Sequence, residues 1–211
     1  MINVLIVDDH PVVRVGLKRI ISSESDFNVC AEAKDFNSMM EILKNKSVQI
    51  VLMDISMPGT SGYDALPIIK MAYPKLPVIM LSALSEDIYA IQSLKAGASG
   101  FVNKESAPEE LTKAIRIVLS GGIYMGQSVI EKQSMRLGGN LQKALHENLS
   151  SREFQVLVQL GAGKTIQQIS EDLFLSPKTV STYRSRILEK MHFQSTAEII
   201  KYCIEANLTN S

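Results

Sequence analysis

The chain has 211 residues, enough for one large domain or two ordinary ones, and 45% of them are hydrophobic, so a buried core is possible. No apolar run approaches the ~18 residues of a membrane span, and we expect no membrane partner. The 22 basic residues balance the 22 acidic ones, so overall charge neither indicates nor excludes a nucleic-acid partner.

The first 120 residues alternate between short, continuously apolar segments and segments with helical periodicity. Continuous apolar runs are typical of strands that are buried on both faces. The alternation therefore predicts an α/β fold, (βα)₅, with a five-stranded parallel sheet between helices. The predicted strands are 2–7, 27–33, 48–53, 77–82 and 100–103, and the predicted helices are 11–22, 36–45, 63–73, 86–96 and 107–119. The last of these helices is expected to begin with Ser106 as its N-cap and Glu109 at the third helical position.

Beyond Gly121-Gly122 the pattern changes to helix alone. We interpret residues 123–148 as a linker with one helix near 127–137. Capping boxes at Ser150–Glu153 and Thr165–Gln168 begin two further helices, and Ser176-Pro177 begins a third. With a last helix near 196–206, the sequence predicts a first domain over 1–122 and an all-α, four-helix domain over 149–211.

Polar residues lie at the ends of four of the five predicted strands. Asp8 and Asp9 follow the first strand, Asp54 follows the third, Ser82 is the last residue of the fourth, and Lys104 follows the fifth. Because ligands bind beyond the carboxyl ends of parallel strands, we expect these groups to line one pocket. A lone aspartate at a strand end is usually a turn or cap residue, and a lone lysine usually lies in solvent. Five such groups in this order disfavour that alternative.

This set of groups fits phosphoryl transfer to a carboxylate. Clustered carboxylates repel one another, and a hard divalent cation such as Mg²⁺ or Mn²⁺ relieves the repulsion. Asp54 can then serve as a nucleophile toward phosphorus. Lys104 suits a phosphoryl oxygen as a compact positive charge, and the hydroxyl of Ser82 suits another.

The order of these residues, with the segments VLIVDDH, VLMDISMPGTSGYD, VIMLSA and AGASGFVNK, resembles the receiver domain of bacterial two-component response regulators. That resemblance covers about residues 1–120 and implies a flavodoxin-like fold in a cytoplasmic bacterial protein. It implies that Asp54 is the phosphoacceptor for a sensor histidine kinase. It also implies Mg²⁺ ligands from Asp9, Asp54 and the backbone carbonyl of Ser56, with Asp8 acting through water. Ser82 and Phe101 would be the switch pair.

Residues 166–191 predict a helix-turn-helix. Val180, Tyr183, Ile187 and Met191 give the second helix one apolar face. Its other face is polar and basic. A basic helix face alone is weak evidence, because such faces are usually just solvated.

The segment from Leu149 to Met191 is more specific, because it resembles the LuxR-type DNA-binding domain. Together the two domains resemble response regulators of the NarL/FixJ class, over nearly the full chain. The resemblance implies double-stranded DNA as a partner, with Ser181, Thr182 and Ser185 facing bases beside Thr179. The predicted phosphate contacts are Lys178, Arg184, Arg186 and Lys190.

The function that follows is a transcription regulator, not an enzyme, in which phosphorylation controls dimerisation and DNA binding, with RNA polymerase as a further partner. Two alternatives remain: a DNA-binding regulator independent of phosphorylation, and a phosphatase with an aspartyl-phosphate intermediate. The phosphatase would need an acid two residues after Asp54, where Ser56 stands. A candidate dimer surface lies on the last helix, although the same face can instead close the domain core. Its residues are Ile199, Ile200, Cys203 and Ile204.

Overall fold

The structure is a computed structural model that describes residues 1–83, 86–126, 145–206 and 208–209, without the side chains of residues 86–88, 147 and 151. The chain divides into two compact units, Met1–Gly139 and Asn140–Ser211. The predicted linker helix at 127–137 lies outside the described residues. The predicted domain limits therefore stay predictions.

The first unit contains the predicted five-stranded parallel sheet, in the order β2-β1-β3-β4-β5. Its strands are β1 (Ile2–Val7), β2 (Phe27–Ala33), β3 (Ile50–Asp54), β4 (Val78–Ser82) and β5 (Gly100–Asn103). Residues of β1, β3 and β4 are almost all buried, as expected of strands covered by helices on both faces. The fold class predicted from the alternation is confirmed.

Five helices accompany the strands: α1 (Pro11–Ser22), α2 (Phe36–Asn45), α3 (Gly62–Ala72), α4 (Glu86–Lys95) and α5 (Ala107–Leu119). Their bounds lie within a residue or so of the predicted ones. Ser106 is the N-cap residue of α5, as predicted, but it makes no capping hydrogen bond through its side chain. Its hydroxyl instead donates to the carbonyl oxygen of Asn103 at 3.3 Å.

The core of the first unit lies between the sheet and the helices that cover it. On the side of α1 and α5 it combines β-branched strand residues with leucine and isoleucine from the helices. The members with no exposed surface include Val4, Ile6, Ile21, Ile50, Leu52, Ile79, Leu81, Val102, Leu111, Ala114 and Ile115. This packing fixes the strand ends, and it is at those ends that the polar residues lie.

The second unit is helical in its described part. After a short 3-10 helix, Leu145–Asn148, it contains α6 (Ser151–Gly161), α7 (Ile166–Asp172), α8 (Pro177–Met191) and α9 (Thr196–Glu205). The capping boxes predicted at Ser150 and Thr165 are both formed, and the Ser176 side chain accepts from the backbone N–H of Thr179. No helix in the described ranges is long and apolar enough to cross a membrane.

Candidate functional site

The register of the sheet brings the polar strand ends together. Val7 of β1 pairs with Met53 of β3, so the next residues, Asp8 and Asp54, follow adjacent strands at the same level. Asp54 pairs with Leu81 of β4, and Ser82 pairs with Asn103 of β5, the residue before Lys104. The predicted pocket therefore forms at the carboxyl edge of the sheet.

Lys104 joins two of the carboxylates. Its Nζ lies 2.8 Å from Asp8 Oδ2 and 2.9 Å from Asp54 Oδ1. Both aspartate side chains are buried, with 0% and 2% of their surface exposed. Burial alone would lower the pKa of Lys104, but Asp54 and Asp8 together outweigh burial and raise it. The ammonium therefore stays charged beside the central carboxylate.

One oxygen of this central carboxylate has no hydrogen-bond partner among the described residues. It is Asp54 Oδ2, a buried atom, whereas the other oxygen, Asp54 Oδ1, lies 2.9 Å from Lys104 Nζ. The oxygens of Asp8, Asp9 and Asp54 and a nitrogen of His10 all lie within 4.8 Å of one another. A buried, unpaired anionic oxygen in a cluster of carboxylates fits a hard divalent cation.

Asp54 holds its proton more tightly than an ordinary aspartate. Burial raises the pKa of Asp54 most, Lys104 opposes that effect, and Asp8 adds to it, so the pKa rises from 3.8 to about 6. Without a cation, ionisation of Asp54 therefore destabilises the folded state.

We expect Asp54→Asn to stabilise the cation-free protein at neutral pH. As pH rises from 3.8 to about 6, the unfolded chain releases the Asp54 proton while the native state retains it, so native stability falls across that window and stays lower above it. Because asparagine does not titrate, the variant lacks this loss of native stability, which is at most about 3 kcal/mol. Urea unfolding in the presence of a chelator measures the free energy of unfolding of both proteins. We expect equal values near pH 3.5 and a higher value for the variant at pH 7. Equal stability at both pH values would contradict the expectation.

The switch pair predicted from the sequence is buried. Ser82 is 3% exposed, and Phe101 has no exposed surface. Phe101 pairs with Met80 of β4, and its backbone N–H donates to the carbonyl oxygen of Tyr124 at 3.0 Å. The ring therefore belongs to the core behind the pocket in this conformation.

Sequence reasoning missed two residues of the pocket. Gly62 begins α3, and a Cβ there would collide with the backbone carbonyl oxygen of Asp54 and lie 3.0 Å from Ile55 Cα. The available signal was a glycine at the predicted start of a helix, shortly after Asp54. The other residue, His10, lies beside Asp9, which it follows in the sequence.

In the second unit, α7 and α8 form the predicted helix-turn-helix. Val180, Ile187 and Met191 are buried on the apolar face of α8, whereas Tyr183 is only half-buried. The predicted DNA-contact residues all lie on its remaining surface. Those that are exposed are Lys178, Thr182, Ser185, Arg186 and Lys190, and those that are half-buried are Thr179, Ser181 and Arg184.

The basic residues of α8 differ in their contacts. Lys190 Nζ lies 2.6 Å from Glu153 Oε2, and Arg184 Nε donates to Thr196 Oγ1 at 2.7 Å. Lys178 and Arg186 have no ion-pair partner among the described residues. These two cations are therefore available to an external anion, whereas Lys190 already balances a buried carboxylate.

Three hydroxyls of α8 bond within the helix. Ser181, Thr182 and Ser185 each donate to the carbonyl oxygen four residues earlier, at 2.9, 3.0 and 3.1 Å. Such bonds use the hydroxyl proton and leave the oxygen lone pairs toward solvent. In this conformation the predicted base-facing residues are hydrogen-bond acceptors.

The candidate dimer surface on α9 is only partly available. Ile199 and Cys203 have no exposed surface, and the Cys203 thiol donates to the carbonyl oxygen of Leu157 in α6, with 3.7 Å between sulfur and oxygen. These two residues close the core of the second unit, which is the alternative that the sequence left open. Ile200 is half-buried, and Ile204 is 62% exposed.

Two family models match different parts of the chain. Residues 4–116 match the family model of the response regulator receiver domain, and residues 147–203 match that of the bacterial regulatory proteins of the luxR family. The response regulator UvrY of Escherichia coli is 34% identical over 212 residues, which cover 100% of this chain and 97% of that relative. The response regulator GacA of Pseudomonas aeruginosa is 31% identical, with 100% and 99% covered.

Solved structures are similar as well. RcsB of Salmonella enterica serovar Typhimurium, bound to the rprA promoter in the presence of the phosphomimetic BeF₃⁻, is 26% identical with a TM-score of 0.68. The similarity covers 95% of this chain and 97% of RcsB. The response regulator ChrA of a heme-sensing two-component system is 29% identical, with a TM-score of 0.51 and 98% of each chain covered.

Proposed function

Because the chain belongs to the response regulators that join a receiver domain to a LuxR-type DNA-binding domain, we propose that phosphorylation of Asp54 controls its binding to DNA. The observation that carries the proposal is the unpaired, buried oxygen Asp54 Oδ2 beside the Lys104 ammonium. The phosphoryl donor in the cell is a sensor histidine kinase, which is the partner that a receiver domain implies.

The Asp54 carboxylate is the nucleophile. It forms a bond to phosphorus while the bond from phosphorus to the donor's histidine nitrogen breaks, and that histidine leaves as imidazole after taking up a proton. Lys104 Nζ lies 2.9 Å from Asp54 Oδ1 before the reaction. After phosphoryl transfer it contacts a phosphoryl oxygen, which then carries negative charge. The cation, Mg²⁺ or Mn²⁺, would be held by Asp9, Asp54 and the Ser56 carbonyl, with Asp8 acting through water, and would neutralise negative charge on the phosphoryl oxygens.

Ser82 and Phe101 convert the modification into a change of shape. The Ser82 hydroxyl moves toward a phosphoryl oxygen, and the buried Phe101 ring on the neighbouring strand repacks into the space that this motion opens. Phosphorylation can shift such an equilibrium only because the phosphoryl group makes contacts in one state that it lacks in the other.

Double-stranded DNA is the ligand of the second domain, over residues 149–211. Lys178, Arg184 and Arg186 contact phosphates, joined by Lys190 when it leaves Glu153. Thr179, Ser181, Thr182 and Ser185 face the bases. One helix-turn-helix reads few bases, so we infer a homodimer on half-sites about 10 bp apart, and RNA polymerase as a further partner in transcription.

The alternatives have less support. A phosphatase would need a second acid near Asp54, and the residue two positions later is Ser56. A regulator independent of phosphorylation would not need a buried aspartate, lysine and serine at adjacent strand ends. Both alternatives predict that a phosphoryl donor leaves DNA affinity unchanged.

The proposed function is tested by DNA binding of the full-length protein with and without acetyl phosphate in Mg²⁺ buffer. Genomic fragments selected by the phosphorylated protein supply the target. We expect DNA affinity to rise about tenfold on phosphorylation, a typical coupling between two sites. Sedimentation of the same samples should show a larger dimer fraction. Equal affinity in both samples, with phosphorylation verified by mass spectrometry, would refute the coupling.

Arg186→Ala should weaken DNA binding without weakening the fold. Loss of one phosphate contact reduces the slope of log affinity against log salt by about 0.9. Lys190→Ala should in addition destabilise the domain, because it leaves the buried Glu153 carboxylate without its ammonium partner. The measurements are salt titrations of DNA affinity and thermal unfolding of both variants. A Lys190→Ala protein as stable as Arg186→Ala would show that this ion pair contributes nothing.

A further inference from the structure

The imidazole of His10 lies against the carboxylates of the pocket. Its Nδ1 atom is 2.8 Å from Asp9 Oδ1 and 3.4 Å from Asp8 Oδ1. Adjacent ligands of an octahedral ion, each about 2.1 Å from the metal, lie about 3 Å apart. The separation of the His10 nitrogen and the Asp9 oxygen therefore matches that of two neighbouring ligands.

Among the residues that the structure describes, the pocket offers few other free carboxylate oxygens to a cation. Asp8 Oδ1 accepts from the backbone N–H of His10 at 2.8 Å, and Asp8 Oδ2 lies 2.8 Å from Lys104 Nζ. This leaves Asp54 Oδ2 and the Asp9 carboxylate, whose Oδ1 is also buried, as the carboxylate donors. Some positions around a six-coordinate ion would then be filled by water or by another side chain.

A cation on Asp9 also favours one of the two tautomers of the neutral imidazole. An Nδ1–H pointing at the Asp9 oxygen would point at the cation as well, which is electrostatically unfavourable. The tautomer with its proton on Nε2 turns the Nδ1 lone pair toward the cation instead. The His10 side chain is 62% exposed, so Nε2–H can donate to water.

We propose that His10 Nδ1 is a ligand of the cation, so that the pocket binds first-row transition-metal ions that favour imidazole, such as Ni²⁺, in addition to Mg²⁺. The inference rests on the proposed phosphorylation pocket and adds to it a nitrogen ligand. Imidazole strengthens the binding of such ions far more than that of Mg²⁺, which prefers oxygen. The ratio of the two affinities therefore reports the contribution of His10.

The test uses the full-length protein, His10→Asn and the matched control His192→Asn at one fixed pH. His192 is exposed and has a φ of 57°, a conformation that asparagine tolerates, so the control removes an imidazole without strain. Calorimetric titrations give the affinities for Ni²⁺ and Mg²⁺. We expect the Ni²⁺ to Mg²⁺ ratio to fall at least about tenfold in His10→Asn and to stay unchanged in the control.

Pulsed EPR with Mn²⁺ reports the ligand directly. The wild-type protein should show coupling to a directly bound nitrogen, and His10→Asn should lack it. No nitrogen coupling in the wild type, or an unchanged affinity ratio in His10→Asn, would overturn the inference while leaving the carboxylate site intact. The Asp54→Asn variant distinguishes a failure of the proposed pocket from a failure of the inference about His10. If this variant binds both ions as tightly as the wild type does, the proposed pocket is wrong, and the inference fails with it.

Discussion

Asp54→Asn is expected to abolish phosphorylation of the full-length protein by acetyl phosphate in Mg²⁺ buffer. An amide oxygen is a poor nucleophile, and no other carboxylate of the pocket is equally placed. Asp8 is tied to Lys104 and to the His10 backbone, and Asp9 is partly exposed at the rim. Intact-mass spectrometry after incubation should show one added phosphoryl group on the wild-type protein and none on the variant.

The matched control for this experiment is Asp172→Asn. Asp172 is a surface residue of the second unit, where it forms an exposed ion pair with Lys164. This variant should be phosphorylated as fully as the wild type. If peptide mapping located the phosphoryl group on a residue other than Asp54, the assignment of Asp54 as the phosphoacceptor would be wrong.

The pocket could be predicted from the sequence because its parts lie at the ends of strands. The apolar runs that precede Asp8, Asp54, Ser82 and Lys104 fix which face and edge each residue reaches. The resemblance to receiver domains then gave each residue a role. The helix starts at Ser150 and Thr165 were equally accessible, since a capping box is a local pattern of residues.

The contacts that the sequence did not indicate join residues distant along the chain. Lys190 and Glu153 are 37 residues apart, and Arg184 and Thr196 are 12 apart. Periodicity places these cations on the polar face of a helix but cannot tell a free cation from a paired one. For the same reason it could not separate Ile199 and Cys203, which are in the core, from the exposed Ile204.

Local sequence patterns also failed to predict contacts that depend on close packing. Ser106 has the sequence of an N-cap, but its backbone is already helical, with φ −89° and ψ −2°, so its hydroxyl bonds elsewhere. Gly62 offered no periodic signal, because the reason for a glycine there is the approach of α3 to the backbone of Asp54.

Gly62→Ala is expected to destabilise the first unit and to impair phosphorylation of Asp54. The new Cβ would collide with the backbone carbonyl oxygen of Asp54, and a backbone atom cannot rotate aside as a side-chain terminus can. Either α3 or the end of β3 must therefore move. Overpacking that forces the backbone to shift costs about 1–3 kcal/mol and occasionally more. Moving the end of β3 also displaces the Asp54 carboxylate from Lys104.

The matched control is Gly16→Ala in α1, where an added Cβ meets nothing within 4 Å. There alanine removes the entropic disadvantage of glycine in a helix, so the variant should be more stable by about 0.5–1 kcal/mol. Urea unfolding and acetyl phosphate labelling of both variants measure the two effects. If Gly62→Ala matched the wild type in stability and in labelling, the contact between α3 and Asp54 would not position the phosphoacceptor. Loss of stability with normal labelling of the folded fraction would assign Gly62 to packing alone.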